Sequence, residues 1–261
     1  MNFIKRLFKK PEPIQKPCIN LAMVMLPEAG SFSFHNFLSD ISKNHVINEA
    51  DGDNEAASFK FDGELFYIAA MPVPIPNEDI EGTAQYAYNW PTAVQDLEGH
   101  KAYILVALSS SNNNFVKHFR LITHVVNSIL KTTDAIGVYI GDQSLLIPKN
   151  EYLIEVEAAA MDESLLPLNT WIYIGLRTIG DQRSGYTYGL KAFGLDEIEV
   201  IDTSAPLTSI RELLYDVSHY LISNNIKLNA GETVGSSADE KIKVGFSKAV
   251  FVEGDSYKLI F

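Results

Sequence analysis

Few side chains in this sequence are arranged for catalysis or metal binding. There is one cysteine, Cys18, and no two of the six histidines stand four residues apart. Zinc sites are usually built from closely spaced cysteine and histidine pairs, and a reactive cysteine needs a neighbouring cation or a helix N-terminus. The sequence also lacks the G-x-S-x-G, H-E-x-x-H, C-x-x-C and phosphate-loop motifs. We therefore predict no catalytic residues, no metal site and no cofactor.

The loop GETVGSSADEK at residues 231–241 is the stretch most suggestive of ligand binding. Its backbone N–H groups and hydroxyls are donors that could hold an anion. The acidic residues at its end would repel a phosphate, and the same composition is common in an ordinary loop before a strand. The ordinary loop is the favoured interpretation. For the alternative, the candidate ligand-binding residues are Gly231, Thr233, Gly235 and Ser236.

A second candidate site combines aromatic residues with carboxylates between residues 72 and 98. Exposed aromatic residues often anchor protein partners, and a surrounding ring of carboxylates suits a basic partner. Aromatic residues in long loops also fold back over the edge of the core, and this alternative stays open. The candidate partner-binding residues are Glu78, Asp79, Glu81, Tyr86, Tyr88 and Trp90.

The overall charge narrows the classes of partner. The chain has 261 residues and a formal net charge of -12. Nucleic-acid binding needs clustered cations, so we expect no nucleic-acid partner.

No apolar stretch approaches the roughly 20 residues of a membrane span, and a single cysteine fits a reducing compartment. The sequence therefore predicts a soluble, cytoplasmic protein.

The first ten residues differ from the rest of the chain because they carry four basic residues and no acid. Phe3, Ile4, Leu7 and Phe8 alternate with these cations at helical spacing, and three prolines follow by residue 17. We expect residues 1–18 to be a flexible basic tail. Weak peripheral contact of residues 1–10 with an anionic membrane is the alternative.

Hydrophobic periodicity predicts the elements that position these residues. Residues 19–26 and 102–108 are unbroken apolar runs, typical of strands buried on both faces. Residues 48–55 are expected to form a surface loop, and residues 72–91 a long connection. Predicted helices cover 34–43, 91–98, 114–131, 150–161 and 206–223. Predicted strands cover 57–61, 65–72, 136–141, 144–147, 170–179, 185–192, 197–202, 242–247 and either 249–252 or 256–261.

The order strand, helix, hairpin, helix occurs twice, at residues 19–98 and 102–161. The sequence therefore predicts an α+β fold of tandem ferredoxin-like, split βαβ pseudo-repeats, with mixed, mostly antiparallel sheets and helices on one face. After the tail, the first α+β half would span residues 19–100 and the second residues 101–261.

Several runs of the sequence resemble an uncharacterised bacterial family, domain of unknown function 4261. These runs are LAMVML, AAMPVPIP, NWP…LEGHKAYILV, DAIGVYIGD and the tail YGLKAFGLDEIEV…GETVGSSADEKIKV. The resemblance extends over residues 19–261 and includes the C-terminal family-like region 188–261. Its most specific part runs from Tyr188 to Val244. It implies a bacterial, cytoplasmic α+β protein from toxin-immunity or secretion-associated gene neighbourhoods. It supplies no activity and no catalytic residues.

These features favour a non-enzymatic, protein-binding protein of the bacterial cytoplasm. Its sharpest form is an immunity-like protein that neutralises a basic toxin or secreted effector. Two alternatives remain, because active sites assemble from residues distant in sequence. One is a small-molecule-binding protein or enzyme with a cleft site. The other is a scaffold of a secretion or envelope-associated assembly. The oligomeric state does not follow from the sequence.

Overall fold

Two β-sheets and six α-helices make up the part of the chain that the structure describes, residues 18–162, 164–235 and 241–261. The structure is a computed structural model. The predicted tail up to residue 17, and Ser236, lie outside the described residues. The helices are α1 (Phe34–Ile41), α2 (Asn77–Ala84), α3 (Ala93–Leu97), α4 (Phe115–Thr132), α5 (Lys149–Met161) and α6 (Leu207–Asn224).

The strands fall into two groups along the chain. The first seven are β1 (Cys18–Leu26), β2 (Ile47–Gly52), β3 (Ala56–Phe61), β4 (Glu64–Met71), β5 (Ala102–Ser110), β6 (Gly137–Ile140) and β7 (Leu145–Pro148). The others are β8 (Tyr173–Ile179), β9 (Gln182–Tyr188), β10 (Glu197–Thr203), β11 (Thr233–Val234), β12 (Ile242–Lys248) and β13 (Asp255–Ile260). The first sheet has the order β2-β3-β4-β5-β1-β6-β7, and the second β11-β12-β13-β10-β9-β8.

The central pair of the first sheet, β1 and β5, decides which side chains share a face. The two strands are antiparallel and in continuous register, with Leu26 opposite Ala102 and Met23 opposite Leu105. Because side chains alternate along a strand, even-numbered positions of both strands point to one face, which we call the front face. Helices α1, α4 and α5 cover it, and their apolar residues form one core with the front-face side chains.

Local sequence explains two of these helices. Ser33 caps α1 by accepting a hydrogen bond from the Asn36 N–H at 3.3 Å, and Asn114 caps α4 by accepting one from the Lys117 N–H at 3.2 Å. Helix α4 also contacts the second core through Phe119.

The opposite, back face of the first sheet is covered only in part. Helices α2 and α3 pack there around Ile80, Trp90 and Leu97, against Met25 and Leu146 of the sheet. Helices therefore lie on both faces of this sheet, where the sequence predicted one. Helix α2 was not predicted, because it lies in a proline-rich stretch and buries only Ile80 and Thr83.

The second sheet is also mostly antiparallel, with one parallel pair, β10 and β13. Helix α6 covers one of its faces through Ile210, Leu214 and Leu221. Gly185 of β9 allows this contact, since a Cβ there would lie 2.5 Å from Ile210. None of the helices in the described ranges has the length and apolar character that a membrane crossing requires.

The predicted α+β class and the mostly antiparallel sheets are confirmed. The pseudo-repeat is not confirmed. The predicted order of elements is present, but the hairpin β3–β4 joins β5, and the hairpin β6–β7 joins β1. The two sheets divide the chain between residues 148 and 173, so β5 lies in the middle of the first sheet rather than at the start of a second unit.

Two local predictions need correction or refinement. The predicted surface loop 48–55 is partly strand, because β2 extends to Gly52 along the exposed edge of the sheet with a register shift after Asn48. The last strand is Asp255–Ile260, which selects the second of the two predicted alternatives.

The packing of Trp90, part of the back-face cover, against strand β6 can be tested at Gly137. A Cβ added there would lie 2.8 Å from the ring of Trp90 and 2.5 Å from the Ile147 carbonyl oxygen. We expect Gly137→Ala to lower the free energy of unfolding by about 1–3 kcal/mol, measured by chemical denaturation, because the site has no room for a methyl group.

Gly82→Ala is the matched control, since its added Cβ meets nothing within 4 Å and the position lies inside α2. Alanine is the better helix former, so this variant should gain roughly 0.5–1 kcal/mol. Equal stability of the two variants would contradict the contact between Trp90 and β6.

Candidate functional site: an acidic layer and a tyrosine cluster

Residues 72–100, which we call the acidic layer, form the cover of the back face. This segment holds five acidic residues and no lysine or arginine. Its one histidine, His100, is buried, and both ring nitrogens are used within the layer: Nε2 accepts a hydrogen bond from the Ile75 N–H at 2.9 Å, and Nδ1 lies 2.7 Å from the Leu97 carbonyl oxygen. The layer therefore presents negative charge without an internal cation.

Three of the predicted partner-binding residues, Glu78, Asp79 and Glu81, lie on α2 and are exposed. Across the described residues, no lysine or arginine forms an ion pair with any of them. Glu78 and Asp79 are in the first turn of α2, where negative charge favours the helix by a few tenths of a kcal/mol to about 1 kcal/mol. The remaining hydrogen-bonding capacity of these carboxylates faces solvent.

Trp90 does not share this exposure. Its side chain is only 6% exposed and belongs to the back-face core. The indole Nε1–H donates to Asp96 Oδ2 at 2.7 Å, and the Thr92 hydroxyl donates to the same oxygen. These two hydrogen bonds lower the pKa of Asp96. Trp90 therefore follows the alternative interpretation of the aromatic segment, in which it covers the core.

The other two predicted aromatic residues form a cluster with tyrosines of the second sheet. Tyr86 is 38% and Tyr88 49% exposed, and their ring centroids lie 6.1 and 6.3 Å from that of Tyr173. Tyr173 contacts Tyr186 at 6.1 Å, and burial raises the pKa of both hydroxyls. This tyrosine cluster, Tyr86, Tyr88, Tyr173 and Tyr186, joins the acidic layer to β8 and β9.

Polar contacts hold the same junction. Arg211 of α6 donates through Nη2 to Asn169 Oδ1 at 2.8 Å, and its Nε lies 3.3 Å from the Tyr88 hydroxyl. A separate hydrogen bond connects the acidic layer to α5, where Asn89 donates to Glu151 Oε2 at 2.8 Å. Sequence reasoning did not find Tyr173, Tyr186 or Arg211, because they follow Tyr88 by 85 residues or more and no local pattern connects them.

The predicted ligand loop lines a cleft of about 720 Å³ between α6 and β11. Thr233 and Gly235 contribute to its wall, and Ser236 lies outside the described residues. Gly231 is not part of the wall. Its N–H donates to the Val244 carbonyl at 2.8 Å, in a turn that requires its φ of +93°. The opposite wall carries Glu212 and Asp216, so the cleft suits a cation better than the anion that the loop composition suggested.

The C-terminal part of the chain corresponds to a known family. Residues 186–260 match the model of a domain of unknown function, DUF4261. The match confirms the resemblance predicted from the sequence over this region, which runs from β9 to β13 and includes α6 and the wall of the cleft. No curated protein matches the chain.

A buried carboxylate in the DUF4261 region has a structural role. Glu199 is fully buried and accepts hydrogen bonds from the Val250 and Phe251 N–H groups, the Ser256 hydroxyl and the ammonium of Lys258, which lies 2.6 Å away. Burial alone would raise its pKa, but these donors together lower it. The carboxylate therefore fixes the loop before β13 and has no free acceptor aimed at a ligand.

Outside the DUF4261 region, two histidines meet on the front face. The rings of His45 and His124 have centroids 4.4 Å apart, beside Phe61. Burial, together with the nearby charges of His45 and Arg120, lowers the pKa of His124 to about 4. Within the described ranges, no group of three or more histidine, cysteine, aspartate or glutamate side chains is placed to hold a metal ion.

This histidine pair predicts how stability depends on pH. The unfolded chain binds the proton of His124 near the ordinary pKa of 6.5, and the folded chain near 4. The contribution of neutral His124 to the free energy of unfolding is therefore complete above pH 6.5, and it is lost as the pH falls towards 4. We expect the native chain to lose about 2 kcal/mol more than His124→Gln between pH 7 and 4.5, measured by urea denaturation.

His35→Gln is the matched control, because His35 is exposed on α1. This variant should keep the pH profile of the native chain. If His124→Gln also kept that profile, the burial of a neutral imidazole at this position would be wrong.

Proposed function

We propose that this chain is a non-enzymatic, protein-binding protein of the bacterial cytoplasm whose acidic layer receives a basic protein. In its sharpest form it is an immunity-like protein that occludes a basic toxin or secreted effector. The observation that carries the proposal is the set of exposed carboxylates on α2, Glu78, Asp79 and Glu81, in a segment without a single lysine or arginine.

Unpaired carboxylates of this kind give a surface long-range attraction for cations. Their field raises the rate of encounter with an oppositely charged partner and disfavours acidic competitors. Tyr86 and Tyr88 lie at one end of the layer and keep 38% and 49% of their surface exposed. Aromatic side chains held in place by packing lose little conformational entropy on binding, so they suit an anchoring role beside the charges.

Several buried polar groups already form hydrogen bonds within the chain, and this favours binding over catalysis. Glu197 accepts hydrogen bonds from the Thr187 hydroxyl and the Gly189 N–H, and Glu199 and His100 are occupied in the same way. A general base needs a lone pair that can reach a substrate. Glu197, Glu199 and His100 support loops and turns instead.

The proposal is tested by removing the α2 charges together. Glu78→Ser, Asp79→Ser and Glu81→Ser should weaken binding to a basic protein that co-purifies with the tagged native chain. The loss should be roughly 10- to 100-fold in Kd, from about 0.5–1 kcal/mol for each charge at the edge of an interface. Titration calorimetry at two salt concentrations measures both affinity and its dependence on salt.

The control variant removes three exposed acids elsewhere, with Glu157→Ser, Asp181→Ser and Glu253→Ser. It has the same change in net charge, so a local role of α2 predicts native affinity for this control. Equal weakening of both triple variants would assign the effect to net charge and reject the acidic layer as the binding surface.

The cleft between α6 and β11 favours a second candidate function, the binding of a small cationic molecule. Its walls combine Glu212 and Asp216 with the apolar side chains of Leu213 and Val217. Thermal unfolding with a panel of aliphatic diamines tests this function. A rise in Tm with the native chain that is absent in Asp216→Asn would support it, and no rise with any diamine would reject it.

A further inference from the structure

A second cleft, which we call the α4 cleft, has a volume of about 790 Å³ and a lining different from that of the cleft beside α6. It lies between the loop that follows α1, the β3–β4 turn and the first turns of α4. Its lining includes the apolar residues Phe61 and Leu121, which are almost completely buried. Clefts of this size are typical of sites for small organic molecules.

Helix α4 contributes a basic side to this cleft. Lys117, Arg120 and His124 are spaced three and four residues apart, so they share one face of the helix, and all three are half-buried. Among the described residues that line the cleft, Asp62 is the only acid, and its carboxylate lies 2.9 Å from the ammonium of Lys117. The α4 cleft is therefore a basic site on a chain with a net charge of -12.

The loop after α1 adds hydrogen-bonding groups on the opposite side. The ring of His45 lies next to that of His124, with centroids 4.4 Å apart. Asn44 and Asn48 also line the cleft. Neither the two imidazoles nor these two side-chain amides form a hydrogen bond with another described residue. Their N–H groups therefore remain available to a ligand in the cleft.

Positive charges act on His124 from two elements. Arg120 and Lys131 of α4 and His45 of the loop after α1 all disfavour its protonated form. The residues of α5 that line a neighbouring cleft together with Arg120 and His124 are uncharged, namely Val156, Ala159 and Ala160. A bound anion would offset this repulsion, because an opposite charge nearby stabilises an imidazolium ion.

We propose that the α4 cleft binds a small organic molecule through an oxyanion, a phosphate or carboxylate group, held by Arg120, His45 and His124. The organic part of the molecule would lie on Phe61 and Leu121. Arginine suits this role because its planar guanidinium forms paired hydrogen bonds with both kinds of group. The site lies outside residues 186–260 and on the face of the first sheet opposite the acidic layer, so it does not rest on the proposed function.

A metal ion is the other kind of ligand that a pair of imidazoles can hold. The nearby positive charges of Arg120 and Lys131 disfavour a cation at this place. No third histidine, cysteine or carboxylate joins the pair within the described ranges. These observations favour an anion over a metal, and the experiment below includes both.

NMR titration of the full chain with sodium sulfate, at constant ionic strength, tests the site without a variant. Sulfate keeps its charge throughout the titration, so the histidines are the groups whose protonation changes. We expect the signals of His45 and His124 to shift, and the pKa of His124 to rise from about 4 by about one pH unit or more. His35, exposed on α1, is the internal reference. Signals of His45 and His124 that move no more than that of His35 would overturn the proposal.

Variants then distinguish the cleft from the overall charge. Arg120→Gln should weaken the binding of phenyl phosphate about tenfold in titration calorimetry, because a charge-assisted hydrogen bond is lost. Lys227→Gln removes an exposed cation elsewhere and should keep native affinity. Equal weakening by both variants would assign binding to net charge and overturn the site. His45→Gln, which does not change the charge at neutral pH, should also weaken binding.

A comparison of ligands identifies the group that is recognised. Phenyl phosphate and benzoate share an aromatic ring and differ in the oxyanion, so preference for one of them identifies the site as a phosphate or a carboxylate site. Benzamide has no charge, and binding as tight as that of the two anions would overturn the proposal. Zinc ions that shift the signals of His45 and His124 when none of the anions does would also overturn it and assign the pair to a metal.

Discussion

The antiparallel pairing of β1 with β5 is the constraint on which the rest of the structure depends. These strands lie at the centre of the first sheet, and each accepts on its outer side the hairpin that follows the other strand in the chain. Because the hairpins are exchanged, neither stretch of the chain can complete its own sheet. The first sheet therefore has to form as one cooperative unit, and the faces of β1 and β5 decide where every covering element lies.

Helix α4 extends this constraint to the second sheet. Val126 and Ile129 belong to the front-face core, while Phe119, two turns earlier, packs on Trp171 and Phe193 with ring centroids 5.7 and 4.4 Å away. The indole of Trp171 also donates a hydrogen bond to the Thr123 hydroxyl at 2.8 Å. One helix thus contributes to both cores. The tyrosine cluster is a second connection to the second sheet, because it joins the acidic layer to β8.

Sequence reasoning succeeded where the determinants are local. The predicted strands 57–61 and 65–72 are an example, because the Asp62-Gly63 pair between them tolerates positive φ and has φ of +49° and +83° in the structure. The exchange of hairpins was not predictable, since an apolar strand pairs equally well with either neighbour until the whole sheet is considered. The burial of Trp90 also depends on residues distant in sequence. It requires a close contact with Gly137, which no pattern near residue 90 reveals.

In the acidic layer, the side chains that pack in the core and the charged side chains lie on opposite sides of one short segment. Ile80 and Trp90 point into the back-face core, while the carboxylates of α2 point to solvent and take part in no ion pair within the described residues. Because the buried and exposed side chains belong to different residues, the charges can change without disturbing the core that positions them. The surface charge and the stability of the core therefore depend on separate positions of the same segment. Ile19, Leu21 and Tyr67 on the back face of the first sheet lack this separation, because their apolar side chains are themselves exposed.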